Sequence, residues 1–454
     1  MNEQQIAWQI GAHDAPPPPT IAAELAQTYA QGGNQLPVLL ACYRAYGPIF
    51  RVPRQEKPLT VLAGPAANVF VGRYMTEILS EQAFWEGFIE EYTGKEAQVS
   101  HEGEMNRARR ALLSPGYSRG RILDRLPLLA DLTHQQTASW QPGQSVRFFP
   151  WVQQVIAEQL GQLLAHHGTE DYVPDLATFL STTIQTTMTK SQARAALQAP
   201  SYLHAKERIL EFGRKIVADH RATPPGQDRQ PDVVDDLLMA AARGGRDIAD
   251  QQLAFGALGP FLAGLHTVSF ASCSLLYALL AHPQICARVV EEADAVFAQG
   301  TLSWERLKEM HALHGAAMEA LRLYSGASGH NCQAIQPFSF AGYGVEAGED
   351  VFVAMTVAHF LPELFPQPES FDSDRYSEPR NEHRQRGAYA PFGLGDHSCL
   401  GAGIAEVQLM ATLATLLAQY ELELDPADYR MQPLAQSQKT PQHELRVSIV
   451  KPRA

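Results

Sequence analysis

From Leu253 to Leu280 the chain carries no Asp, Glu, Lys or Arg. A run that long either crosses a bilayer or passes through the middle of a large core. Gly256, Gly259, Pro260, Gly264, His266, Thr267 and several serines break its apolar character, which favours a helix buried in a soluble core over a membrane span. The pattern predicts one helix from Asp247 to about Ala281, roughly 50 Å long at 1.5 Å rise per residue, stopped by Pro283. A fold built round such a helix has to be wide and mainly helical.

The remaining patterns agree with that. Ile49–Val52 and Thr60–Ala63, with a turn over Pro53–Pro58, predict an early hairpin. Helical periodicity dominates from about Ala66 to Arg243, and a polar, turn-rich loop runs over Thr223–Asp232. A helix is expected from about Leu313 to Tyr324, short strands within Pro337–Thr356, and a final helix from about Leu400 to Gln419. Residues 1–20, with the proline run Pro16–Pro19, read as an extended N-terminal segment. The 36 basic and 49 acidic residues leave a formal charge of −13, which argues against a nucleic-acid partner. Five cysteines in 454 residues indicate no disulfide framework, and a cytoplasmic location is the default. The N-terminal sequence shows no signal peptide or membrane anchor.

One segment carries chemistry: Phe392-Gly393-Leu394-Gly395-Asp396-His397-Ser398-Cys399-Leu400-Gly401. It is a glycine-rich loop ending in a cysteine at a helix N-terminus. Glycines let the backbone turn tightly and approach a flat ligand, and the helix N-terminus favours a thiolate. His397 is placed to reach a carboxylate on the same ligand. Upstream, Glu319-Ala320-Leu321-Arg322 sets an acid and a base three apart on one helical face. In the long helix, Ala263-Gly264-Leu265-His266-Thr267 combines two small residues with a hydroxyl.

The cysteine segment strongly resembles the haem-binding loop of the cytochrome P450 family, and the other motifs follow in that family's order. The resemblance implies a single domain over residues 1–454, mainly α with a small β lobe and a long central helix over haem. Cys399 would be the thiolate ligand of a haem b iron, whose electron push favours O–O cleavage. Phe392 and Gly393 would pack against the haem, and His397 would bind a propionate. Arg110, with Arg109 one residue away, would hold a propionate too. Ala263 and Gly264 would let haem and O2 approach the helix. Thr267 would hydrogen-bond O2 and help deliver protons, with His266 as a proton relay. Glu319 and Arg322 would be joined by Arg375 in a buried ion network.

The expected reaction is insertion of one oxygen atom from O2 into a small, mostly hydrophobic molecule, such as a terpenoid, sterol, fatty acid or polyketide. Electrons would come from a ferredoxin-type donor with an NAD(P)H-dependent reductase, steered by Arg107, Arg109, Arg110, Arg380, Arg384 and Arg386. The Ala-Gly-x-His-Thr form is similar to the sterol 14α-demethylase branch. Two departures stand out. Cys332 falls where relatives carry another propionate arginine, leaving His330 as a possible helper. Ser325–Asn331 is small and polar where that branch is apolar, which suggests a substrate with some polar groups. Non-oxygenative chemistry on the same haem, or haem-based binding without turnover, are the rival readings.

Overall fold

The computed structural model describes residues 35–52, 57–92, 107, 110–111, 113–169, 171–226, 229–243, 250–431 and 441–453. The N-terminal segment 1–20 and Arg109 lie outside them. Helices make up most of the described chain, and ten strands form three small sheets.

The long uncharged stretch is helical but not continuous. Asp250–Ala257 and Gly259–Ala281 are separated by a turn at Leu258. Pro260 is the cause: it has no N–H for the next helical bond, and it sits in the first turn of the second helix, where that absence costs least. From there the central helix Gly259–Ala281 runs through the core, packed along Phe148–Leu164 and also against His311–Leu323 and Ala402–Gln419. Its serines need no water. The hydroxyls of Ser269, Ser272 and Ser274 donate to the carbonyls of Leu265, Val268 and Phe270 at 2.6, 2.8 and 3.0 Å, which lets an uncharged helix carry polar atoms in a dry interior. Asp250–Ala281 and Ala402–Gln419 are the two described helices long and apolar enough to cross a membrane, and most of each is buried inside the fold.

The expected hairpin is present as β1 (Ile49–Val52) against β2 (Leu59–Ala63). It opens a five-stranded sheet that continues with β8 (Asp350–Ala354), β5 (His330–Ala334) and the two-residue β3 (Leu79–Ser80). β2 and β8 run parallel; the other pairs are antiparallel. A second sheet joins β4 (Ser145–Arg147), β10 (Arg446–Pro452) and β9 (Tyr420–Leu424), and a third pairs β6 (Phe338–Phe340) with β7 (Tyr343–Val345). β4 ends at Arg147 because Phe148 already opens the next helix.

The ion network is buried throughout. Arg322 grips Glu319 with two bonds of 2.7 Å, and Arg375 donates to the same carboxylate at 3.0 Å. Tyr376 adds its hydroxyl at 2.6 Å, and Arg375 also reaches Glu382 at 2.8 Å. This ties the helix His311–Leu323 to the turn Ser373–Tyr376. Glu319 and Arg322 have no solvent exposure and Arg375 has 1%, so deleting one partner strands charge in the core. Glu319→Ala is expected to cost about 3–5 kcal/mol, measured by denaturant unfolding; a loss under about 1 kcal/mol would show that the network is not a main support of the core.

Candidate active site

The cysteine loop is shaped by backbone contacts that only glycine permits. Gly393 has φ +83°, and a Cβ there would lie 3.2 Å from Nε2 of His330. At Gly395, φ is +56° and a Cβ would meet the carbonyl oxygen of Gly72 at 2.7 Å. The loop closes on itself where the Cys399 N–H donates to Phe392 O at 2.7 Å and the Ser398 N–H to Gly395 O at 3.0 Å. Gly401 then caps the final helix, Ala402–Gln419.

Protein surrounds Cys399 on most sides, yet its side chain is exposed. Burial pushes its thiol pKa up, while the Gly401 N–H and the Arg110 charge push it down. A thiol held this way ionises readily once a cation binds it. Arg110 is anchored at the loop, its guanidinium donating to Ser398 O at 2.6 Å. Arg107 reaches Asp396 of the same loop at 3.5 Å.

On the central helix, Ala263 and Thr267 are exposed while Leu265 and Val268 on the same stretch are buried. They lie four apart, on one face. The Thr267 hydroxyl donates to Ala263 O at 2.7 Å, leaving its oxygen lone pairs free to accept. Gly264 serves a different contact from the one its sequence suggests: a Cβ there would come within 3.1 Å of Leu160, so its smallness allows helix–helix packing. Tyr117 ties the two halves of the site together. Its hydroxyl is 3.7 Å from where a Gly259 Cβ would be, and its own pKa is raised by burial and by the Cys399 charge.

His266 points elsewhere. Its ring lies edge-on to Phe149, and Nε2 is 3.2 Å from Nε2 of His443. Burial, then the His443 charge, lower its pKa to about 4, so it is neutral at pH 7. Cys332 is buried among Leu79, Val351 and Val353; His330, two residues earlier on β5, is the residue that meets the loop at Gly393. Asn331 sits opposite Phe352 within the sheet. The polar turn before it stitches itself together: Ser325 donates to Ala327 O at 2.9 Å and Thr356 to Ser328 O at 3.0 Å. Part of its polarity is used to close the turn. Glu81 is a site residue the sequence did not reveal. It is buried and accepts bonds from His330 and His397.

The family model described as Cytochrome P450 matches residues 15–447. The chain belongs to the cytochrome P450 family. This P450 is 32% identical over 223 residues to a sterol 14alpha-demethylase of Mycolicibacterium vanbaalenii, a match spanning 48% of this chain and 49% of that protein. It is 25% identical over 342 residues to the cyclooctat-9-en-7-ol 5-monooxygenase of Streptomyces melanosporofaciens, covering 73% of this chain and 74% of that one. Among solved structures, retinoic acid bound cyanobacterial CYP120A1 superposes with a TM-score of 0.77 at 23% identity, over 96% of this chain and 99% of that one, which speaks for the fold alone. Members of the family are generally haem-thiolate monooxygenases that use O2 and a redox partner. The residues here fit a haem: an accessible cysteine on a glycine loop, an open small-residue face on the central helix, and a buried imidazole nitrogen, Nε2 of His330, with no hydrogen-bond partner among the described residues.

The neutral state of His266 and His359 makes stability depend on pH. An unfolded imidazole titrates near about 6.5. As pH drops from there towards 4, the unfolded chain takes up a proton that folded His266 refuses, and stability falls. His359, lowered to about 3 by burial and the Arg322 charge, acts in the same direction. Unfolding free energies from urea titrations are expected to drop between pH 7 and pH 5, by up to about 1.4 kcal/mol per pH unit for each such group, and His266→Asn should flatten the profile. A free energy that rises on acidification contradicts this.

Proposed function

We propose that this P450 is a haem b monooxygenase that inserts one oxygen atom from O2 into a C–H bond of a small, mostly hydrophobic molecule. The second oxygen atom leaves as water, with two electrons and two protons supplied. The observation that carries the reading is the accessible Cys399 sulfur on a loop whose glycines leave room for a flat group. When bound, the haem supplies the O2-activating redox chemistry. Cys399 would ligate its iron, Arg110 and His397 would face its carboxylates, and Phe392, Gly393 and Ala263 would border it. Arg109 is proposed as a second carboxylate ligand on the resemblance alone. Gly264 supports this wall from behind by letting the neighbouring helix come close.

Thr267 is the proposed proton-handling group. Its hydroxyl hydrogen is held by Ala263 O, so its oxygen can accept from a water and keep that water oriented for proton transfer. His266 is proposed to act from behind, as a neutral imidazole paired with His443. A terpenoid or sterol-like substrate is favoured by the names of two relatives, a sterol 14alpha-demethylase and a cyclooctat-9-en-7-ol 5-monooxygenase.

Electrons are proposed to come from a ferredoxin-type donor with an NAD(P)H-dependent reductase, and the protein is read as cytosolic, its two longest apolar helices being core helices. Arg107 and Arg384 are exposed and can meet an acidic partner. Arg380 is less available, since it is held by Asp372 and Glu382 at 2.7 and 2.5 Å.

The reading is tested by screening terpenoids, sterols, fatty acids and polyketides for haem spectral shifts, then analysing products with NAD(P)H, O2 and a reconstituted redox chain. The expected result is an oxygenated product that takes its label from 18O2. A shift-inducing ligand that is never oxidised, or is converted without O2, rejects it. Thr267→Ala should keep haem and ligand binding but divert most reducing equivalents to hydrogen peroxide; full coupling in that variant removes the role given to Thr267.

A further inference from the structure

The pairing that ends the five-stranded sheet joins residues far apart in sequence. β3 pairs Leu79 with Ala334 and Ser80 with Gln333, and the next residue, Glu81, is thereby carried to the start of β5. One carboxylate oxygen meets Nδ1 of His330 at 2.5 Å and the other meets Nδ1 of His397 at 3.0 Å. Burial alone would raise the Glu81 pKa, but the hydrogen bonds and charges of the two imidazoles outweigh it and bring the group down to about 2. Glu81 is therefore an ionised carboxylate that can only accept.

That fixes both rings. Each imidazole has to present an N–H at Nδ1, which sets its orientation and leaves Nε2 for another contact. His330 Nε2 is buried with no hydrogen-bond partner among the described residues, and it stands against Gly393 of the cysteine loop. A buried polar atom aimed at a glycine cradle calls for a ligand atom. Where the family resemblance implies an arginine, this chain has Cys332, which is buried in apolar surroundings.

We propose that Glu81 is a positioning residue that holds His330 and His397 together, so that His330 offers Nε2 to a carboxylate of the haem in place of the missing arginine. This rests on the haem reading above. Between two acceptors, His330 would present Nδ1 to Glu81 and Nε2 to the haem carboxylate. The haem carboxylate and Glu81 are thus bridged by one imidazole instead of repelling each other across the site.

The test compares the full-length wild type with Glu81→Gln, His330→Gln, His330→Arg and the double variant Glu81→Gln/His330→Arg. The readouts are haem transfer to excess apomyoglobin and the ferric/ferrous midpoint potential. Glu81→Gln and His330→Gln should keep the thiolate-type carbon-monoxide spectrum but release haem about 10–100-fold faster, the usual penalty for losing a partner that orients a ligating group. Arginine at residue 330 needs no orienting carboxylate, so the double variant should return to within a few-fold of the wild-type rate. Loss of negative charge at the haem edge should also move the midpoint potential of Glu81→Gln upward. Wild-type haem retention in Glu81→Gln overturns the proposal, as does equal haem loss with His330→Arg present, which would mark Glu81 as merely structural. If Glu81→Gln does not fold, His330→Gln decides the point by the same release rate. Absence of haem from the wild type defeats the haem reading itself, whereas haem bound to Cys399 with unchanged Glu81→Gln kinetics defeats only this inference.

Discussion

Glu319 places a carboxylate between two arginines in the buried core, and the cysteine loop is braced from that ion pair. Arg322, held by Glu319, also donates from Nη1 to His359 O at 2.5 Å. The His359 ring then lies with Nδ1 towards Arg322 O at 3.3 Å, while Nε2 accepts the Ala390 N–H at 2.9 Å. Ala390 is two residues before Phe392, whose carbonyl receives the Cys399 N–H. The chain of contacts from buried charge to reactive sulfur is thus continuous. It also explains why His359 has to stay neutral: a protonated Nε2 could not accept, and burial beside Arg322 keeps its pKa far below the ordinary range. A network of this kind adds little net stability over an apolar core but strongly specifies one arrangement.

The opposite wall of the site uses the reverse strategy. The central helix has no charge along its length, and its hydroxyls are satisfied by its own backbone. Ala263 and Thr267 are exposed on it, and Gly264 lets Leu160 pack close beside them. The cysteine loop is braced by ion pairing and the central helix by packing.

Local patterns made most of this visible in the sequence, and its failures have specific causes. The uncharged run, the Gly-rich loop to Cys399 and the Glu319–Arg322 spacing are short-range features, and each appears in the structure where the sequence placed it. Pro260 was passed over as an interruption because a single proline in the first turn breaks a helix without changing its apolar pattern. The two-residue strand Leu79–Ser80 has no periodicity to detect, so nothing local could bring Glu81 to His330 across the intervening chain. In the turn Ser325–Asn331, the Ser325 hydroxyl is used within the turn and the Ser328 carbonyl is taken by Thr356, contacts that no local pattern announces. His266 looked like a catalytic neighbour of Thr267, but consecutive helical residues point about 100° apart, and its side chain faces Phe149 and His443 instead.

The central claim is a sulfur–iron bond at Cys399. Iron-edge X-ray absorption on the purified resting protein reads that bond without relying on turnover. The account predicts one sulfur scatterer in the iron's first shell, alongside the porphyrin nitrogens, that disappears in Cys399→Ser. A wild-type first shell of nitrogen and oxygen alone, or a sulfur shell that survives removal of Cys399, would contradict it.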